Sequence, residues 1–176
     1  AIKANDLLAG MGIMVGEMTP TSGLVQVRLS QSDKLIDRDV PGVKGVVEFV
    51  LRRAEEDQAN GRSDADKMMQ VVAAEADRDF IARARFEKLT PGTRYVCRTR
   101  IGANAADLKP GPVARFGTLP GPERSDPVQF VVVTGMNYAK FHGDKRIDRK
   151  QHLVENNTAL PEPYSGPDKH LGYPAL

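Results

Sequence analysis

The chain has 176 residues and a nearly balanced charge, with 25 Lys and Arg against 23 Asp and Glu, for a formal net charge of +2. No segment concentrates basic residues densely enough to indicate a nucleic-acid interface, so we expect no nucleic-acid partner. No apolar run approaches the roughly 20 residues that a membrane-spanning helix needs, and the single cysteine, Cys97, excludes an intrachain disulfide.

Short segments of alternating apolar and polar residues, separated by turn residues, make up the first two thirds of the chain. In a strand, successive side chains point to opposite faces, so this alternation predicts half-buried strands. About seven such strands fit an antiparallel β-sandwich of the fibronectin type III-like class. The predicted strands are residues 12–18, 24–30, 46–53, 68–74, 79–89, 94–101 and 113–118.

Two of the intervening segments leave alternatives open. Residues 55–66 are highly charged and could form a short helix, but Asn60-Gly61 would interrupt it, which favours a loop. Residues 68–74 contain Met and Ala and could form a helix, although their pattern favours a strand. The polar residues 31–44 and 103–110 are predicted to be loops.

The segment Leu89-Thr90-Pro91-Gly92-Thr93-Arg94-Tyr95 predicts a sandwich corner. Pro91 and Gly92 form a tight turn, and a Tyr at the start of the following strand can bond its hydroxyl to nearby backbone. Tyr95 and Cys97 should face inward on this strand, and Cys97 is expected to be a small buried apolar residue rather than a catalytic one.

The character of the sequence changes after residue 119. Pro120, Gly121, Pro122 and Pro127 lie among charged residues and predict a linker. Residues 128–134 then form a nearly continuous β-branched run, which is typical of a strand buried on both faces of a layered α/β domain. Ligands bind outside the carboxyl ends of such strands. The polar residues that follow this run are therefore the best site candidates, namely Asn137 and Tyr138.

Residues 140–172 are polar, rich in Pro and Gly, and predicted to be irregular, either as a functional loop or as a disordered segment. They hold all three histidines of the chain. Their wide spacing lacks the short intervals of metal ligands on one helix or hairpin, which favours surface histidines. No complete catalytic motif is present, neither a phosphate-binding Gly-rich loop with Lys nor a His-Glu-x-x-His helix.

Four segments, in order, resemble the alkaline phosphatase D family. The resemblance covers residues 12 to 138. Its segments are Gly16–Leu29, with a Gly-acid turn and an Arg-Leu strand end; Leu89–Tyr95; Arg115–Pro120, with Phe-Gly-Thr-Leu-Pro; and Phe130–Tyr138. We call them blocks one to four.

The resemblance implies a secreted, metal-dependent phosphoesterase, periplasmic or extracellular, that hydrolyses phosphate esters with Ca, Fe or Zn ions. It implies a fibronectin-like β-sandwich over 1–119, a linker over 120–127, and an incomplete α/β metallophosphoesterase domain over 128–176. That last part would hold a first strand and a long loop, with the rest of the catalytic domain as its partner. The 176 residues alone are then expected to be inactive and to bind no metal.

One position departs from the family pattern. Gly135 stands where the family has a Cys that ligates metal, and glycine has no side chain to donate. Asn137 and Tyr138 match a polar-Tyr pair by position, which places them near the site without giving them a role. The alternative interpretation is a non-catalytic fibronectin-like interaction module of an extracellular protein.

Overall fold

The computed structural model describes residues 7–33, 36, 40–58, 67–124, 127, 147–157 and 159–160. The chain divides into two compact units, Ala1–Pro127 and Val128–Leu176. The predicted strand over 128–134, and with it Gly135, Asn137 and Tyr138, lies outside the described residues.

Among its described residues, the first unit contains seven antiparallel strands. They form a three-stranded sheet in the order β1-β2-β5 and a four-stranded sheet in the order β4-β3-β6-β7. The strands are β1 (Ile13–Gly16), β2 (Gly23–Arg28), β3 (Gly45–Arg53), β4 (Met68–Ala74), β5 (Ile81–Phe86), β6 (Arg94–Gly102) and β7 (Lys109–Gly117).

The inward faces of the two sheets share one apolar core, which confirms the predicted β-sandwich. Val25 and Val27 of β2 are fully buried, as the alternation predicts, while Gln26 between them faces outward. Packing the two sheets together removes the apolar side chains on their inward faces from water, and this burial is the main stabilisation of the fold. The largest fully buried side chains are those of Phe49, Phe86, Leu7, Leu29 and Leu51.

The segment between β3 and β4 differs from the loop that the sequence favours. Ala54–Gln58 form a short helix, α1. Three acidic residues lie in its first turn, where they complement the positive end of the helix dipole. The alternative of a helix is therefore correct for residues 55–58, and the helix also includes Ala54; 59–66 lie beyond the described ranges.

The last strand begins earlier than predicted. β7 starts at Lys109, and Pro110 pairs with Arg100 in the ladder despite its missing N–H. Proline is tolerated because β7 is an edge strand. A register shift between Arg98 and Arg100 accommodates this irregular part of the strand.

The predicted strand over 79–89 would place Phe80 on the same face as Ala82, but Phe80 precedes β5 and has a left-handed φ of 58°. Its backbone N–H donates to Glu75 O at 2.8 Å and its carbonyl accepts from Leu29 N–H at 3.0 Å. The ring lies against Gly42, where a Cβ would come within 1.9 Å of a ring carbon. Gly42 therefore makes room for this ring.

In the second unit, a helix α2 (Arg149–Asn156) lies within the stretch that was expected to be irregular. The carboxylate of Asp148 accepts from the N–H groups of Lys150 and Gln151 at 2.9 and 3.0 Å. At the other end Asn157 adopts a left-handed φ of 50°. An Asx N-cap and a left-handed C-terminal residue are sufficient to define a short helix.

Candidate functional site

None of the predicted site residues is among the residues that the structure describes. Gly135, Asn137 and Tyr138 lie outside them, as do His142 and His170, while His152 lies on α2. Within the described part of the chain, no group of three or more His, Cys, Asp or Glu is arranged to hold a metal ion.

Cys97 is a core residue, as the sequence predicts. Burial raises the pKa of its thiol to about 12 because the charged thiolate would lose its hydration. At neutral pH the group is therefore a protonated, inert thiol and not a nucleophile.

One end of the sandwich holds three loops together, and we call it the exit junction, defined by Thr19–Ser22, Thr90–Thr93 and Thr118–Leu119. The first loop is a turn closed by Thr19, whose hydroxyl accepts from Ser22 N–H at 2.9 Å. The second is the corner before β6, where Tyr95 Oη accepts from Thr90 N–H at 2.9 Å. This is the corner bond that the sequence predicts.

Thr118 joins the third loop to the second. Its hydroxyl donates to Thr90 O at 2.7 Å and accepts from Thr93 N–H at 3.0 Å. Its own N–H donates to Thr93 O at 3.0 Å. A buried threonine that satisfies three backbone groups fixes the position of the chain where it leaves β7.

Leu119 completes the junction. Its N–H donates to Thr19 O at 3.2 Å, and its carbonyl accepts from Gly92 N–H at 3.0 Å. The second residue after β7 is therefore bonded to two separate loops. The path of the chain towards residue 120 is set by the sandwich and not by a free hinge.

The outward side of the four-stranded sheet carries a second candidate surface. We call it the arginine face, formed by Arg94, Arg98 and Arg100 of β6, Arg115 of β7 and Arg52 of β3. On β6, Cys97 faces inward as predicted, Thr99 is also buried, and the arginines point outward. Guanidinium groups bind carboxylates and phosphates through paired N–H donors.

Asp57 of α1 is the main acidic partner on this face. Its carboxylate accepts from Arg98 Nε at 2.8 Å and from a second Arg98 nitrogen at 2.9 Å. The hydrogen bond from Arg98 lowers the pKa of Asp57, and the same bond raises the pKa of Arg98. The Asp57 side chain is only 10% exposed, whereas that of Arg98 is 53% exposed. The pair anchors α1 to the sheet.

Two shallow depressions flank this ion pair. One has a volume of about 720 Å³ and is lined by residues that include Arg52, Arg100 and Val113. The other, of about 420 Å³, includes Arg115 and Phe116. Among the described lining residues, none is a nucleophile paired with a base, and the arginines supply N–H donors that can bind anionic groups.

The sequence did not predict the Asp57–Arg98 pair, because residues 55–66 were interpreted as a loop. A usable signal was present in Glu55-Glu56-Asp57, three consecutive acids directly after a strand. None of the helices in the described ranges is long and apolar enough to cross a membrane.

The strand order and the tyrosine corner define the first unit as a fibronectin type III-like β-sandwich. No family model and no curated protein matches the sequence. Among solved structures, the fold is similar to one described as the structure of PhoD, with a TM-score of 0.50 and 20% identity, over 68% of this chain and 21% of that chain. The chain therefore spans about a fifth of the PhoD structure.

Two other solved structures show lower similarity. The sensor domain of the anti-sigma factor RsgI4 in Pseudobacteroides cellulosolvens has a TM-score of 0.42 and 15% identity, over 75% of this chain and 98% of that chain. The third fibronectin III domain of human KIAA0343 has a TM-score of 0.39 and 16% identity, over 65% of this chain and 84% of that chain.

Proposed function

We propose that this chain is the N-terminal portion of an exported, metal-dependent phosphoesterase of the alkaline phosphatase D type. In this proposal the sandwich is a non-catalytic module and residues from 128 onward begin the catalytic domain. The substrate class is phosphate esters. The similarity in fold to the PhoD structure is compatible with this, at an identity that indicates fold alone.

The observation that carries the proposal is the convergence of three resembling blocks at the exit junction. Thr19 lies in block one, Thr90 in block two and Thr118 in block three. Leu119, in block three, bonds through its backbone to Thr19 of block one and to Gly92 of block two, and the Thr118 hydroxyl joins blocks two and three. Sequence blocks that are separate in the chain thus meet at one place, directly before the linker to block four.

The chemistry of the proposed parent needs a metal centre that polarises the phosphoryl group and activates an attacking oxygen. The described residues do not supply a donor set for one. Gly135, at the position of the family's Cys ligand, has no side-chain donor. Following the family resemblance, the proposal assigns the Ca, Fe or Zn ligands to later parts of the parent protein, and it places Asn137 and Tyr138 only in the neighbourhood of the site.

The test compares this chain with the same chain carrying its natural continuation after Leu176. Both are assayed on p-nitrophenyl phosphate and bis(p-nitrophenyl) phosphate, with Ca²⁺, Fe³⁺ or Zn²⁺ added. We expect hydrolysis by the longer protein and none by the 176 residues. Turnover by the short chain would mean that the site is misplaced, and inactivity of the longer protein on both esters would reject the proposal.

A second candidate function is a non-catalytic interaction module, and the arginine face favours it. Arg98 and Arg100 project from a solvent-exposed sheet face that can pair with carboxylates of an acidic protein. A natural continuation that encodes further sandwich modules, with no cluster of metal ligands, would support this candidate over the enzyme.

A further inference from the structure

Strand β4 is an edge strand with no charged residue and no proline in its seven residues. Within the described part of the chain it pairs only with β3. Met69 and Val71 point outward and are 54% and 49% exposed. An edge of this composition presents unpaired backbone groups and apolar side chains together, which is the usual template for adding another strand.

The other edges carry features that oppose strand addition. β7 contains Pro110 and Pro112, and β1 has only four residues. β5 presents Arg83 and Arg85, and the side-chain amide of Gln70 donates to Arg85 O at 2.6 Å. Prolines, short length, charges and a capped carbonyl are the ways in which proteins block edge pairing. In the described sandwich, β4 alone lacks all of them.

The sequence of β4 is complementary to itself in one antiparallel register. A twofold axis at Val71 places Val71 opposite Val71 of a second copy and Met69 opposite Ala73. All three outward pairs are then apolar. Directly opposed side chains on an antiparallel pair lie about 5 Å apart and pack against each other.

The same register matches charges at both ends of the strand. Lys67 precedes β4 and Glu75 follows it. The twofold axis at Val71 places Lys67 of one copy opposite Glu75 of the other, twice in each pair. Glu75 already accepts from Lys44 at 2.7 Å in its own chain, and both side chains are exposed. Opposite charges across a strand pair fix its register, while like charges oppose it.

We propose that β4 is a homodimerisation edge, at which two copies of this chain pair antiparallel around Val71 to join their four-stranded sheets. The contact is isologous, so the two copies use the same residues and the assembly closes at two. This inference does not depend on the proposed phosphoesterase function, and the assays of the two are separate.

The first test measures the mass of the chain by sedimentation velocity over a range of concentrations. We expect the wild type to reach twice its 19.2 kDa. Val71→Lys places two ammonium groups on the axis and should leave a monomer. The matched control is Val113→Lys, on the outward face of β7, where the side chain is 37% exposed. It should leave the dimer intact, and circular dichroism checks that both variants are folded.

The second test exchanges the charges at the strand ends. Lys67→Glu alone and Glu75→Lys alone each oppose like charges across the axis and should weaken the dimer at least severalfold. The double variant restores two opposite pairs and should recover the wild-type dimerisation constant. The single variant Glu75→Lys and the double variant both lose the ion pair between Lys44 and residue 75 of the same chain. The difference between their dimerisation constants therefore reports only the contact between copies.

The third test is a covalent one. Opposite residues of an antiparallel pair have Cα atoms about 4.5 or 5.5 Å apart, and both separations permit a disulfide. Val71→Cys should therefore form a dimer crosslink under mild oxidation. The wild type is the control, because its only thiol, Cys97, is buried.

A wild type that stays monomeric at all concentrations would overturn the inference. So would a dimer that Val71→Lys leaves unchanged, since the contact would then lie elsewhere. A double charge variant that is no better than the single variants would contradict the proposed register, as would a Val71→Cys protein that does not crosslink while the wild type dimerises.

Discussion

The hydroxyl of Tyr95 accepts a hydrogen bond from the backbone N–H of Thr90 at 2.9 Å, five residues earlier in the chain. The ring of Tyr95 also stacks on Phe116, with centroids 5.9 Å apart. One side chain thus fixes the corner before β6 and packs against β7. Removing the hydroxyl and removing the ring should therefore have separable effects.

We expect Tyr95→Phe to lower the free energy of unfolding by about 1–2 kcal/mol, because the Thr90 N–H loses its acceptor in a partly buried place. Tyr95→Ala should cost about 3–5 kcal/mol, since it also removes a buried ring. Urea unfolding followed by circular dichroism measures both. Equal costs for the two variants would contradict a separate contribution from the hydroxyl.

Thr118→Val should weaken the exit junction. The substitution keeps the branched shape but removes an acceptor for Thr93 N–H and a donor to Thr90 O. We expect a loss of about 1–3 kcal/mol in unfolding free energy, together with faster tryptic cleavage at Arg124. Thr21→Val, at an exposed position of the first turn, is the matched control and should change neither quantity. Unaltered cleavage in Thr118→Val would argue against a fixed exit.

The Asp57–Arg98 pair should make part of the stability depend on pH. The pKa of Asp57 is lowered in the folded protein, chiefly by the hydrogen bond from Arg98. Its contribution is therefore complete above the pKa of an unfolded-chain carboxyl and is lost as the pH falls through the lowered folded value. Asp57→Asn should cost about 1 kcal/mol at neutral pH, and the difference from wild type should vanish at the acid end.

The control for this pH dependence is Asp79→Asn. The pKa of Asp79 is also lowered by its hydrogen bond from Arg28, but its side chain is far more exposed than that of Asp57. Asn tolerates the left-handed φ of this position. We expect a smaller cost at neutral pH, because exposed ion pairs contribute little. A difference for Asp57→Asn that does not change with pH would show that its cost is not electrostatic.

Cys97 should react with Ellman's reagent only when the protein unfolds. The thiol is buried and its pKa is raised to about 12, so neither access nor thiolate is available in the native state. We expect the labelling rate to rise in parallel with unfolding in urea. Rapid labelling of the folded protein would mean that β6 opens locally.

The sandwich was predictable because its strands alternate clearly. The limits of β4 agree with the sequence prediction residue for residue, and Tyr95 and Cys97 of β6 face inward as expected. Segments governed by local capping were harder. The carboxylate of Asp148 starts α2 in a stretch whose polar composition indicates no regular structure. The start of β7 at Lys109 was not predicted, because Pro110 lies next to it and proline usually indicates a turn.

The candidate site was less predictable than the fold. The bond of Tyr95 could be anticipated because its partner is five residues away. The bonds that Thr118 and Leu119 make to two distant loops depend on how the sheets pack, and no local pattern encodes them. Gly135, Asn137 and Tyr138 remain predictions, since they lie outside the described residues.

The exit junction has a consequence for how the protein is made. Every hydrogen-bond partner that we describe for Thr118 and Leu119 lies earlier in the chain. The sandwich can therefore close as soon as residue 119 has emerged from the ribosome, without waiting for later segments to emerge. Domains generally fold as units from the N-terminus during synthesis. The first unit is thus expected to be folded while the remainder of the polypeptide is still emerging from the ribosome.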